Sequence, residues 1–206
     1  KSELVDAVDA IHNAGMKAYY DIIFNHRMGA YNSESVTLSS ESPNNPGEDV
    51  TVYTNFNLAG RDKYYTQSKW GDLWHDFSWD HTCFDAVDYV DEYPDAKKAR
   101  YLFAGKDWGL VPEDSWTNTP DYLMGQDVDY YNYPNGYDGE PEPNTKVIDE
   151  MKAWGQWITK EIGFDGFRID AVKHVDSNFI YQWINYTQEN TAKDLFFVGE
   201  AWIEDK

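Results

Sequence analysis

The run Gly163-Phe164-Asp165-Gly166-Phe167-Arg168-Ile169-Asp170-Ala171-Val172-Lys173-His174 begins as a strand and ends in a polar knot. Phe164, Phe167 and Ile169 favour extended backbone, and Gly163 reads as the stop of a preceding helix. Side chains alternate along a strand, so Gly166, Arg168 and Asp170 share one face while Phe167 and Ile169 share the other. Arg168 and Asp170 are then close enough to pair. A guanidinium beside a carboxylate keeps it ionised, which is what a carboxylate nucleophile needs at neutral pH. The competing reading is a structural ion pair at a strand end.

About thirty residues on, Leu195-Phe196-Phe197-Val198-Gly199-Glu200-Ala201-Trp202 repeats the design, a short apolar run closed by a carboxylate. Between them lies a helix-period segment with Phe179, Trp183 and Tyr186 on one side. Strand, helix, strand at this length is a βαβ unit with parallel strands. Asp170 and Glu200 then emerge at the same end of neighbouring strands. Two carboxylates across a cleft are the minimal machinery of glycoside hydrolysis, one as nucleophile and one as acid/base. Gly199, Ala201 and Trp202 predict an apolar setting for Glu200, which would raise its pKa toward that of an acid catalyst.

Before this unit, Asn144 opens a helix carrying Val147, Met151, Trp154 and Ile158. At the start of the chain, Ser2 is expected to cap a helix with Leu4, Val8 and Ile11 at helical spacing, ended by Gly15. Met16 to Phe24 reads as a strand, with Ile22 and Phe24 on a helix-covered side and Asp21 on the other. From Arg27 to Asp129 helix–strand alternation disappears. So long a stretch predicts a domain of its own, small, irregular and β-rich. Strands are expected at Val50 to Leu58 and at Arg100 to Trp108, with turn-rich chain from Val111 to Pro120.

With 17 basic and 37 acidic residues the net charge is −20, which argues against nucleic acid, whose phosphates the chain would repel. No apolar run is long enough to cross a membrane as a helix. A single cysteine, Cys83, cannot form an internal disulfide. No signal peptide is visible, but the chain opens at Lys1 inside a helical pattern, so a leader could precede it. His75, Asp76, Asp80 and His81 match no standard zinc spacing and read as domain surface.

The Gly163–His174 run resembles the nucleophile strand of the α-amylase family, glycoside hydrolase family 13. Val198-Gly199-Glu200-Ala201-Trp202 resembles its acid/base strand, and Asp21-Ile22-Ile23-Phe24-Asn25-His26 its first signature. The three stand in the family's order, and the likeness looks closest to the liquefying bacterial α-amylases. It implies an α/β fold, a partial (β/α)8 TIM barrel of strands three to five, with a domain B insertion after strand three. The expected division is 1–26 and 130–206 in the barrel, with 27–129 as domain B. It implies retaining endo-hydrolysis of α-1,4 bonds in starch-type polysaccharides, with Asp170 as nucleophile and Glu200 as acid/base. His26, Arg168, Lys173, His174 and Trp202 are implied substrate-side residues, and Asp21 a support for Arg168. Asn25, Asp121, Asp127 and the His174 carbonyl would hold one calcium. A second cation cluster would take Asp85 and Asp129, but this chain has Trp108-Gly109, preceded by Asp107, where close relatives have an aspartate after the tryptophan. The third carboxylate of the family lies on strand seven, beyond Lys206, so the chain is expected to be an inactive internal fragment of a longer, secreted, extracellular amylase. An α-glucosidase or transglycosylase activity, or a non-catalytic carbohydrate-binding relative, stays open.

Overall fold

The computed structural model describes residues 1–56, 77–95, 99–108, 123–134 and 140–201. Leu58, His75, Asp76, Gly109, the expected turn at 111–120, Asp121 and Trp202 lie outside them. Three parallel strands form the sheet that matters: β1 (Tyr19–Ile23), β10 (Gly166–Asp170) and β11 (Phe196–Gly199), with β10 in the centre. Asp21 pairs in register with Arg168, and Arg168 with Val198. Ile23 pairs with Asp170 and Gly199 with Ile169, so Glu200, one residue further, reaches the level of Asp170.

One face of this sheet is packed by two helices, α2 (Thr145–Trp157) and α3 (Ser177–Glu189). Ile22, Phe24, Phe167 and Ile169 are buried there. Phe24 meets Phe179 and Trp183 edge-on, with ring centroids 5.1 and 4.8 Å away, and Phe167 meets Trp183 at 4.9 Å. The Trp183 indole N–H donates to the Met151 carbonyl at 2.8 Å, tying α3 to α2 and satisfying that buried donor. The helices approach closely at Gly155, where a methyl group would stand 2.8 Å from Thr187 Oγ1. The expected apolar stripe of α2 is present, with Val147, Ile148, Met151 and Ile158 buried. A π-helical turn, Ile158–Ile162, extends α2, and Gly163 ends it in the left-handed conformation at φ 102°. The other face carries Tyr19, Ile23, Phe196 and Val198, exposed by 46, 52, 49 and 44%.

The first helix, α1, runs Ser2–Asn13; Ser2 is its first residue and makes no side-chain cap, so the helix starts one residue earlier than expected. Residues 26 to 143 build strands with no α-helix among the described residues. A four-stranded antiparallel sheet has the order β2 (His26–Arg27), β7 (Gln126–Val128), β5 (Phe84–Val87), β6 (Tyr101–Leu102). A hairpin pairs β3 (Asn32–Thr37) with β4 (Asp49–Asn55), and Val50, Val52 and Thr54 alternate into the core as the pattern requires. A short pair joins β8 (Tyr131–Asn132) and β9 (Glu142–Pro143). The strand expected at Arg100 to Trp108 shrinks to Tyr101–Leu102, because Gly105 at φ 77° turns the chain and the Lys106 N–H closes on the Phe103 carbonyl. Apolar packing runs unbroken from the parallel sheet into these antiparallel ones. Tyr130 makes the joint: its ring stacks on Phe179 at 3.6 Å and its hydroxyl donates to the Phe24 carbonyl at 3.0 Å.

Candidate active site

Arg168 sits mid-strand on the uncovered face and serves three acids at once. Nη1 donates to Asp21 Oδ1 at 2.7 Å and to Asp170 Oδ1 at 2.6 Å, while Nη2 reaches Glu200 Oε2 at 2.7 Å. The parallel register produces this: a planar guanidinium on the central strand can address carboxylates on both neighbours. The hydrogen bonds that Arg168 donates to Asp21 and Asp170 push its pKa up. The four side chains stay partly open to solvent, Arg168 by 34%, Asp21 by 65%, Asp170 by 26% and Glu200 by 32%.

Immediately after Asp170, Ala171 has φ 45° and ψ 38°, a left-handed conformation that costs an L-residue about 1–2 kcal/mol. The turn around it holds this strain in place. The Val172 N–H donates to the Glu200 carbonyl at 3.0 Å, the His174 N–H to the Ala171 carbonyl at 2.9 Å, and the Glu200 N–H to the Ile169 carbonyl at 2.8 Å. The ends of β10 and β11 are thus laced together just where the two carboxylates project. Lys173 and His174 fall in the 3-10 turn that follows, Val172–His174, both half-buried. His26 is half-buried at the start of β2; burial lowers its pKa, partly opposed by the charges of Asp170 and Asp88.

Asn25, just before β2, and Asp127, on β7, are buried, 3% and 2% exposed. His26 pairs in register with Asp127, and the Val128 N–H donates to the Asn25 carbonyl at 3.0 Å. An amide and a carboxylate at buried neighbouring positions are the hard oxygen donors that calcium takes. Asp85 and Asp129 are also buried, 3% and 0% exposed, and the Asp129 N–H donates to the Cys83 carbonyl at 3.0 Å. Asp129 Oδ2 accepts from Asn144 Nδ2 at 2.9 Å and is paired with the Lys106 ammonium. No group of three or more His, Cys, Asp or Glu side chains able to hold a metal occurs among the described residues.

Two contacts were not anticipated from the sequence. The Arg168–Glu200 pair gives Glu200 a cationic partner where an apolar setting was expected. The equal five-residue spacing of Gly166–Asp170 and Phe196–Glu200 is the signal that would have found it, because parallel strands of equal length level their last residues. The Lys106–Asp129 pair joins residues with no shared motif, and no local pattern announces it.

No family model matches the chain. Curated proteins do match it along its whole length. A glucan 1,4-alpha-maltohexaosidase of Bacillus sp. (strain 707) is 34% identical over 215 residues, 100% of this chain and 37% of that protein. An alpha-amylase of Bacillus licheniformis is 34% identical over 211 residues, again 100% of this chain and 36% of the relative. A cytoplasmic alpha-amylase of Escherichia coli (strain K12) is 30% identical over 214 residues, covering 100% of this chain and 39% of the relative. The chain therefore spans a little over a third of the length of these relatives. With that identity carried from one end of it to the other, the chain is an α-amylase-type relative within glycoside hydrolase family 13.

Proposed function

We propose that the protein containing this chain is a retaining, endo-acting hydrolase of α-1,4-glucans, with Asp170 as nucleophile and Glu200 as general acid/base. The observation that carries the proposal is the single guanidinium of Arg168 bonded to both carboxylates at the ends of adjacent parallel strands. Asp170 attacks the anomeric carbon while Glu200 protonates the departing glycosidic oxygen; Glu200 then deprotonates the water that releases the sugar from Asp170. Substrate hydroxyls are bonded by His26 and His174, with Lys173 on the leaving-group side. Trp202 belongs to the same set.

The parallel sheet is read as three staves of a (β/α)8 barrel, and residues 27–129 as an insertion between them. The exposed Tyr19, Ile23, Phe196 and Val198 support this, since a closed barrel buries that face. So does the position of the carboxylates at the strand C-termini. One calcium is assigned to Asn25, Asp127, Asp121 and the His174 carbonyl, with a bracing role for the turn that carries His174. Secretion is part of the same proposal, although one relative is named as cytoplasmic.

The test uses the full-length protein, wild type against Glu200→Gln, on soluble starch, with viscosity and reducing ends followed together. Viscosity falling ahead of reducing ends in the wild type, and a variant slower by orders of magnitude, supports endo-hydrolysis through Glu200. A wild type as inert as the variant overturns it in favour of a carbohydrate-binding relative.

A further inference from the structure

The ladder between β10 and β11 is regular as far as Ile169 and Gly199, and then gains a residue. Its register pairs Gly166 with Phe196, Phe167 with Phe197, Arg168 with Val198 and Ile169 with Gly199. Continued by one step, a parallel ladder has the Glu200 N–H bonded to the Ile169 carbonyl and the Glu200 carbonyl bonded to the Ala171 N–H. The first bond is present at 2.8 Å, but the Glu200 carbonyl accepts from Val172 instead, at 3.0 Å. Ala171 is the inserted residue of a bulge, at φ 45° and ψ 38°. Among the described residues one other non-glycine, Asn45, has a positive φ. Asparagine visits that region readily, and alanine does not.

Glu200 is thereby held through both of its backbone groups by the chain that carries Asp170, once before that aspartate and once after it. Gly199 makes room for the second hold. A Cβ at that position would stand 2.8 Å from Val172 Cγ1, so a bare glycine lets Val172 lie against the end of β11. The His174 N–H closes the turn on the Ala171 carbonyl at 2.9 Å. A bulge at the end of a strand re-aims the side chains beside it, and a strained backbone persists where its surroundings over-determine it.

Building on the hydrolytic reading of Asp170 and Glu200, we propose that the Ala171–Val172 bulge sets where the Glu200 carboxyl stands relative to Asp170. Ala171, Val172 and Gly199 are positioning residues, acting through the backbone of Glu200 and not on the sugar. In a double displacement the two carboxyl groups serve one glycosidic bond from about 5–5.5 Å apart. Displacing one of them by about 1 Å costs about 10²-fold in rate.

The experiment takes the full-length protein and measures kcat and KM on two substrates, soluble starch and α-maltotriosyl fluoride, whose fluoride departs without a proton from a general acid. Proline, locked at a φ of about −65°, excludes the bulge conformation, whereas glycine adopts it freely. Ala171→Pro should lose about 10²-fold in kcat on starch, with KM nearly unchanged and a much smaller loss on the fluoride. Ala171→Gly, the conservative replacement, should keep the wild-type ratio of the two rates. Gly199→Val presses Val172 aside from the packed side of the sheet and should show the same split as Ala171→Pro. It decides the matter should Ala171→Pro not fold. Equal losses on both substrates would mean a bulge that only supports the fold, and overturn the proposal. So would wild-type rates in Ala171→Pro or Gly199→Val, or an Ala171→Gly as impaired on starch as they are. A wild type inert on both substrates overturns the hydrolytic reading and the positioning role with it, whereas an active wild type beside unimpaired variants overturns the positioning role alone.

Discussion

The two faces of the parallel sheet are built from alternate residues of the same strands, yet they do opposite work. Toward the helices, Phe167 and Ile169 are buried with Phe24, Phe179 and Trp183. Toward solvent, Arg168 and Asp170 meet Asp21 and Glu200, flanked by exposed apolar side chains. One face supplies the rigidity and the other spends none of it on its charges. Partly exposed ion pairs contribute only about 0–1 kcal/mol each to stability, so these acids are not there to hold the fold. A change on the open face should therefore move activity without moving stability, and a change on the packed face should do the reverse.

The largest separation is expected from Glu200→Gln in the full-length protein. Removing a general acid/base costs about 10²–10⁴-fold in rate, while the melting temperature should shift by little. Arg168→Lys should follow the same pattern more mildly, because an ammonium is a point charge and cannot address three carboxylates with a planar fork. A Glu200→Gln protein that keeps its rate but unfolds early would reverse the roles assigned to the two faces. On the packed side, Phe167→Ala should lower unfolding free energy by about 3–5 kcal/mol, read from denaturant melts.

A smaller effect belongs to the helix layer behind that face. At Gly155 an added methyl group would press on Thr187 Oγ1 at 2.8 Å and on the Trp183 ring at 3.0 Å. Gly155→Ala gains helix propensity, but overpacking of this kind costs about 1–3 kcal/mol. The net should be destabilising in thermal melts. A stabilised variant would mean that α2 and α3 can slide apart without loss, and the packed face would then be less rigid than its aromatic contacts imply.

How far this division could be read in advance depended on local periodicity. Alternation alone separated Phe167 and Ile169 from Arg168 and Asp170, and the βαβ spacing brought Asp170 and Glu200 to one end. Those statements need only backbone geometry and hold in the structure. What escaped were contacts decided by long-range packing: Arg168 turning to Glu200 as well as Asp170, and Lys106 meeting Asp129 through a turn at Gly105. Ala171 escaped too, since nothing about an alanine advertises a left-handed backbone; only the lacing of the Val172 and His174 amides requires it. In the antiparallel region the strand expected from Val50 was legible by its alternation and is found as β4, whereas pieces of two or three residues carry too little pattern to distinguish from loop.

The subtlest expected effect contrasts two aspartates of one segment, five residues apart, at opposite ends of β10. Asp170 projects at the C-terminal end among the acids of the open face. Asp165 lies before the N-terminal end and ties elements together: its Oδ2 accepts from the Ala18 N–H at 2.9 Å and lies 2.8 Å from His12 Nε2 of α1, with Lys193 Nζ 3.5 Å from Oδ1. Burial would raise its carboxyl pKa, but the Ala18 amide, His12 and Lys193 outweigh it and hold the group below the usual carboxylate range. A depressed folded-state pKa means stability that is fully present above the unfolded value of about 3.9 and is lost as pH falls through the folded one. Asp165→Asn should therefore be modestly less stable than wild type at neutral pH, with the gap closing below about pH 4. Melting temperatures of both proteins between acid and neutral pH would show this, and a gap that stayed constant to the acid limit would mean that Asp165 acts through its shape and not its charge.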